Sequence, residues 1–136
     1  MDNDRLNHSI AVARKMVEIG KDFGLKEDEL KELFLLGYLH DIGYEYDNTG
    51  VNHNKIGSNM LKQSGYKYYK EVYYHGEVKD EYSSLYLKIL NKADMQIDKY
   101  GNDVGYDKRI EDIKNRYGND SDVYKKCEIL VSIIRD

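Results

Sequence analysis

His40 and Asp41 stand side by side in Leu39-His40-Asp41-Ile42-Gly43, at the end of a strongly apolar stretch. An imidazole nitrogen and a carboxylate oxygen in such a place make half of a divalent-metal site, because burying either group without a partner is costly. Adjacent residues on a helix point about 100° apart, so the pair can converge on one ion only where the helix terminates, and Gly43 is the expected stop. The other three of the chain's four histidines, His8, His53 and His75, fall on apolar faces or helix ends, as does the carboxylate of Asp94. Taken singly, each reads as a hydrogen-bonded core residue, and Asp94 as a cap or a partner of Lys92 or Arg109. With every histidine directed inward beside two carboxylates, a shared metal site is the more economical explanation.

The elements that must position these groups read as helices throughout. Asp4 is the expected cap of a first helix in which His8, Val12, Met16 and Ile19 recur at spacings of four, four and three, and Gly24 ends it. An acidic turn, Glu27-Asp28-Glu29, opens a second helix with Leu30, Leu33, Leu36 and His40 on one stripe. The stretch from Tyr44 to Asn52 has no helical period and reads as a loop or lid over the site. Asn52 can cap a third helix, with His53, Ile56, Met60 and Leu61 on one face and Gly57 allowing close approach of another backbone. The segment Tyr66 to His75 places Tyr68, Val72 and His75 on one side and ends at Gly76. A fifth helix, about 80–98, aligns Leu87, Leu90, Asp94 and Ile97. Two further helices carry Ile110, Ile113 and Tyr117, then Val123, Cys127, Leu130 and Ile134, and read as scaffold.

The expected fold is therefore all-α, a single-domain bundle of about six or seven helices over 1–136, with the ligand-bearing core at about 4–98 and scaffold helices at about 106–135. The chain has no proline, so its turns rest on Gly and Asn/Asp clusters. A net charge of −4 with Lys and Glu interspersed gives no bulk attraction to nucleic acid or anionic membrane. The apolar run Leu33–Leu39 falls far short of the roughly 20 residues of a membrane span, and Met1-Asp2-Asn3-Asp4 is no signal peptide, so a cytoplasmic location is expected. Cys127 is the single cysteine, which fits that compartment, and reads as core filling.

The order His8, His40-Asp41, His53, His75, Asp94 resembles the HD-domain superfamily of metal-dependent phosphohydrolases. The resemblance covers about the first hundred residues. Arg5-Leu6-Asn7-His8-Ser9 is similar to the family's opening helix, His40-Asp41-Ile42-Gly43 to its namesake motif, and His53-Asn54-Lys55-Ile56-Gly57 to its His-x-x-x-Gly element. Tyr74-His75-Gly76-Glu77 and Lys92-Ala93-Asp94 resemble the later ligand stretches. The resemblance implies one metal on His8, His40, Asp41 and Asp94 and a second on His53 and His75 with Asp41 bridging, as in the six-ligand branch that includes hydrolases of symmetrical dinucleoside polyphosphates. One or two divalent ions follow, and iron, manganese, cobalt, nickel and zinc all suit mixed nitrogen and oxygen ligands.

Two such ions roughly 3.5 to 4 Å apart activate water and stabilise the leaving oxygen of a phosphoester. Asp41 and Glu77 are the catalytic candidates, Glu77 orienting water or leaving group as a general acid or base; an exposed helix-end glutamate is the alternative reading of Glu77. Arg5, Lys55 and Lys79 are candidates for binding substrate phosphate, although each taken singly reads more readily as a solvated surface charge. Tyr44 stands where many members have lysine, which removes a phosphate contact, and the short Gly43–Asn52 segment leaves little room for an elaborate pocket. The residues that define the HD-GYP branch are lacking. Tyr66, Tyr69 and Tyr73 read as a packing face rather than a nucleotide platform, and the stretch Asp98–Asp107 reads as a turn, lacking EF-hand spacing.

The leading function is hydrolysis of a small phosphoester or nucleotide. The alternatives are an HD-type mixed-valent di-iron oxygenase and a non-catalytic metal- or nucleotide-binding regulatory module. Partners reduce to that small substrate, with no membrane and no bulk nucleic acid; a homodimer remains compatible with the sequence.

Overall fold

A computed structural model describes residues 2–46, 52–78 and 81–135. Helix α1 runs Asn3–Asp22, and its cap is Asp2 rather than Asp4: the Asp2 carboxylate accepts from the Arg5 backbone N–H at 2.8 Å. Asp4 lies in the first turn, where its charge meets the positive end of the helix dipole. Helix α2, Glu27–Leu39, starts at the acidic turn, with the Glu29 carboxylate accepting from the Lys26 N–H. Its apolar stripe, Leu30, Leu33 and Leu36, is buried against Val12 and Met16 of α1.

The two helices meet closely at Gly37, where a Cβ would fall 2.6 Å from the Ala13 Cα. Gly37→Ala should gain about 1 kcal/mol of helix propensity and lose about 1–3 kcal/mol to a backbone clash that no rotamer relieves. The clash should win, and a lowered Tm in a thermal melt checks it.

Helix α2 stops at Leu39, before Gly43, and the chain continues as a 3-10 turn over Ile42–Glu45. Gly43 is thus not the helix stop. Its missing side chain makes room for the start of α3, His53–Gln63: a Cβ on Gly43 would sit 1.8 Å from the His53 carbonyl oxygen. Gly57 on α3 faces Gly43 in turn, its own Cβ position being 3.0 Å from the Gly43 nitrogen. Tyr44, expected in a loop, belongs to the 3-10 turn, and the rest of that candidate lid, 47–51, lies outside the described residues.

Helix α4 is short, Tyr69–Tyr74. Tyr66, Tyr68 and Tyr69 pack on the core as expected, whereas Tyr73 is exposed. Helix α5, Leu85–Asp94, is shorter than its apolar pattern at both ends. Ser84 takes an extended conformation and its hydroxyl accepts from the Leu87 N–H, which fixes the start. Beyond Asp94 the chain turns, and Ile97 is buried not on the helix but in an isolated antiparallel bridge to Asp103. The Asp98 carboxylate accepts from the backbone N–H groups of Tyr100 and Asn102, confirming a turn there.

Helices α6, Gly105–Tyr117, and α7, Asp122–Ile134, build a second apolar cluster from Met95, Ile113, Leu130, Val131 and Ile134. The fold is all-α, with seven α-helices among the described residues. No helix among them is long and apolar enough to cross a membrane.

Candidate metal centre

Five segments bring six side chains together, each at a helix end or an inward position. His8 projects from the first half of α1, His40 and Asp41 follow the last turn of α2, His53 opens α3, His75 follows α4 and Asp94 closes α5. His8, His40, Asp41 and His75 are buried. Asp41 lies between the rings, one oxygen to each side. Its Oδ2 is 3.7 Å from His8 Nε2 and 3.3 Å from His40 Nε2, and its Oδ1 is 3.4 Å from both His53 Nε2 and His75 Nε2. Asp94 Oδ1 closes the first side, 2.9 Å from His8 Nε2 and 3.5 Å from His40 Nε2.

The other ring nitrogens settle the protonation. His8 Nδ1 donates to the Asp98 carbonyl at 2.9 Å, His40 Nδ1 to the Gly37 carbonyl at 2.6 Å and His75 Nδ1 to the Val72 carbonyl at 2.6 Å. A carbonyl only accepts, so each Nδ1 carries a proton, and it is Nε2, on the inward side of each ring, that is left to bind a cation or to carry a second proton. Lone pairs of nitrogen and carboxylate oxygen then converge, and His40 Nε2 is buried without a hydrogen-bond partner. Such a donor set is repulsive unless protons or a cation lie within it. Imidazole and carboxylate together fit a divalent transition metal, and the carbonyl bonds behind the rings are the outer support such ligands use.

Without metal, the protons must do that work. Burial opposes charge on these groups, yet Asp41 and Asp94 hold the His40 imidazole well above its ordinary range, while the histidines hold both carboxyls well below theirs. A raised imidazole stabilises the fold fully below its unfolded pKa of about 6.5 and loses that contribution as pH rises through the folded value; the lowered carboxyls contribute above about 3.9 and lose it only in stronger acid. Chelator-treated protein should therefore be most stable between about pH 4 and 6.5 and soften toward alkaline pH. A divalent ion should reverse the alkaline loss, since it binds the deprotonated ligands. Thermal melts across pH, with and without metal, read both effects.

A second layer holds His53. The Tyr44 ring stacks on it at 4.1 Å between centroids, and the Arg5 guanidinium carbon lies 3.4 Å from the Tyr44 ring centroid on the Tyr44 side. Burial pushes the Tyr44 hydroxyl up to about 12, so the ring is neutral. Arg5 Nη1 is also 3.9 Å from Asp41 Oδ2, so this cation is partly engaged by the cluster.

The histidines open onto a cavity of about 690 Å³, within the range of small-ligand sites. Helices α6 and α7 form much of its wall: Arg109, Ile113, Arg116, Tyr117, Lys126 and Cys127 all line it. These helices are thus more than scaffold. Cys127 is half-buried at the wall, its thiol pushed up by burial. Lys55 is exposed at the cavity, Tyr73 lines it too, and Glu77 reaches it while accepting from Lys126 Nζ at 2.9 Å. Lys79 lies outside the described residues. Arg109, read from the sequence as a possible partner of Asp94, forms no ion pair with it within 4 Å and instead lines the wall with Arg116, which the sequence reading did not single out; the available signal was their spacing of four and three about Ile113, which puts them on one face.

A family model described as HD domain matches residues 5–96, well over half of the chain. The chain belongs to the HD-domain family. The HD superfamily is one of metal-dependent phosphohydrolases, and its members typically bind divalent metals, for which the clustered histidines and aspartates are the available groups here. The HD match takes in all six converging residues and ends before α6 and α7. No curated protein and no solved structure gives a significant match to the chain.

Proposed function

We propose that this HD-domain chain is a binuclear metal-dependent phosphohydrolase that cleaves a small phosphoester or nucleotide. The observation that carries the proposal is the placement of Asp41, whose two oxygens each face a different pair of histidine Nε2 atoms. In this reading His8, His40, Asp94 and Asp41 Oδ2 hold one divalent ion, and His53, His75 and Asp41 Oδ1 hold the other. Bound there, the ions supply an activated water and neutralise charge on a phosphoryl group.

The chain's own residues do the rest. The backbone carbonyls of Gly37, Val72 and Asp98 keep the rings oriented, so little reorganisation accompanies the reaction. The Arg5–Tyr44–His53 stack fixes the more exposed histidine. Lys55 and Lys79 attract the anionic substrate, and Glu77, held by Lys126 on Oε2, keeps its other oxygen for orienting a water or the leaving group.

The test is release of phosphate or nucleoside from a broad panel of phosphomonoesters and nucleotides, with chelated protein and with each divalent metal restored. Metal-dependent release from at least one class supports the reading. No release from any of them, with metal bound, contradicts it.

A further inference from the structure

We infer that Arg109 on α6 anchors a phosphate oxygen of the substrate, the anion sitting between this guanidinium and the Asp94 side of the histidine cluster. The inference deepens the phosphohydrolase reading and rests on it, but its residue lies outside the segment matched to the HD family.

Arg109 lines the cavity, and its Nε and Nη1 are shielded from water without any acceptor. It makes no ion pair within 4 Å among the described residues, whereas Lys126 is engaged by Glu77 and Arg135 by Asp107. A guanidinium never sheds its proton, so leaving these nitrogens without an acceptor is costly, and an anion is the partner that would supply both hydrogen bonds and the opposite charge. The protein's own carboxylates do not fill that role. Asp94 is turned toward His8 and His40, and Asp98, although close enough for Arg109 to lower its pKa, forms no ion pair within 4 Å with it and spends Oδ1 on the N–H groups of Tyr100 and Asn102. Arg109, Asp94 and Cys127 nevertheless line the same cavity.

Charge in the cavity points the same way. Once divalent ions neutralise Asp41 and Asp94 and the Lys126–Glu77 pair is set aside, the cations left on the wall are Arg5, Lys55, Lys99, Arg109 and Arg116, against Asp122 and Glu81. Arg116 follows Arg109 on the same face of α6, with buried Ile113 between them, so the packed helix presents both cations on one side. A planar guanidinium fixed beside a metal centre is suited to a phosphate oxygen, where geometry as well as charge is recognised.

The experiment is calorimetric titration of inorganic phosphate into the full chain loaded with metal, for wild type, Arg109→Met and Arg109→Lys, with metal content measured on each. Arg109→Met should weaken phosphate binding by about tenfold or more, and Arg109→Lys by less, with metal content unchanged. Wild-type phosphate affinity in Arg109→Met overturns the inference, as does loss of metal in parallel with phosphate. Should Arg109→Met fail to fold, Arg109→Lys carries the test, and an affinity equal to wild type overturns it. The two readings fail separately. Phosphate release with no dependence of phosphate binding on Arg109 removes this inference alone, whereas Arg109-dependent phosphate binding without hydrolysis of any substrate removes the hydrolase reading.

Discussion

Asp41→Asn should reduce bound metal to one ion per chain or fewer and lower metal-dependent phosphate release by about 100-fold or more. The side chain keeps its shape, so the loss isolates chemistry. Asparagine removes the negative charge shared by both halves of the cluster and replaces one oxygen with an NH₂ donor. That donor will point either at His8 and His40 or at His53 and His75, whose Nε2 atoms lie 3.3 to 3.7 Å from the present oxygens. The half that receives it gains a hydrogen bond and loses a ligand. The other half keeps a neutral carbonyl oxygen, a weaker ligand than a carboxylate. Elemental analysis and a phosphate-release assay on the same preparation measure both losses, and unchanged circular dichroism confirms the fold.

Gly43→Ala should be the most damaging single methyl in the chain. The added Cβ would lie 1.8 Å from the His53 carbonyl oxygen and 2.6 Å from its carbon. Both are backbone atoms at the start of α3, so no side-chain rotation relieves the clash and the helix must retreat by on the order of 1 Å. Overpacking of this kind costs about 3 kcal/mol, or a fall in Tm of roughly 10 °C for a chain of this size. The same retreat carries His53 away from Asp41 Oδ1. Metal affinity should therefore fall by about 10- to 100-fold, as when ligand support is lost. A thermal melt and a metal titration read the two effects.

The sequence carried the convergence of the cluster because each member sits in a local pattern. His8 shares a stripe with Val12 and Met16, and His40 continues the Leu30–Leu33–Leu36 stripe into the core. Helical spacing records burial one element at a time, so these faces were legible from their own segments. Contacts between segments were not. The role of Gly43 depends on where α3 crosses it, and no neighbour in sequence reports that approach. Likewise the stack of Arg5 on Tyr44 on His53 joins three separate elements. The cavity wall was hidden for a different reason. Arg109 and Arg116 look like the solvated charges of an amphipathic helix, and only the packing of α6 with α7 turns that face toward the histidines. Helix ends fell between these cases: Ser84 starts α5 through its own hydroxyl, a signal masked by the apolar pattern that runs past Asp94 to Ile97.

The central claim is that two ions share Asp41, and metal content per chain tests it most directly. Protein purified without chelator or metal-binding tag, then reconstituted with each divalent metal in turn, would be analysed by mass spectrometry for metals per chain. The account predicts two transition-metal ions, falling with Asp41→Asn as above. Manganese, cobalt, nickel or zinc at that level would support phosphoester hydrolysis, and iron with oxygen uptake would turn the same cluster toward oxidation. One ion or none after every reconstitution would contradict the binuclear site.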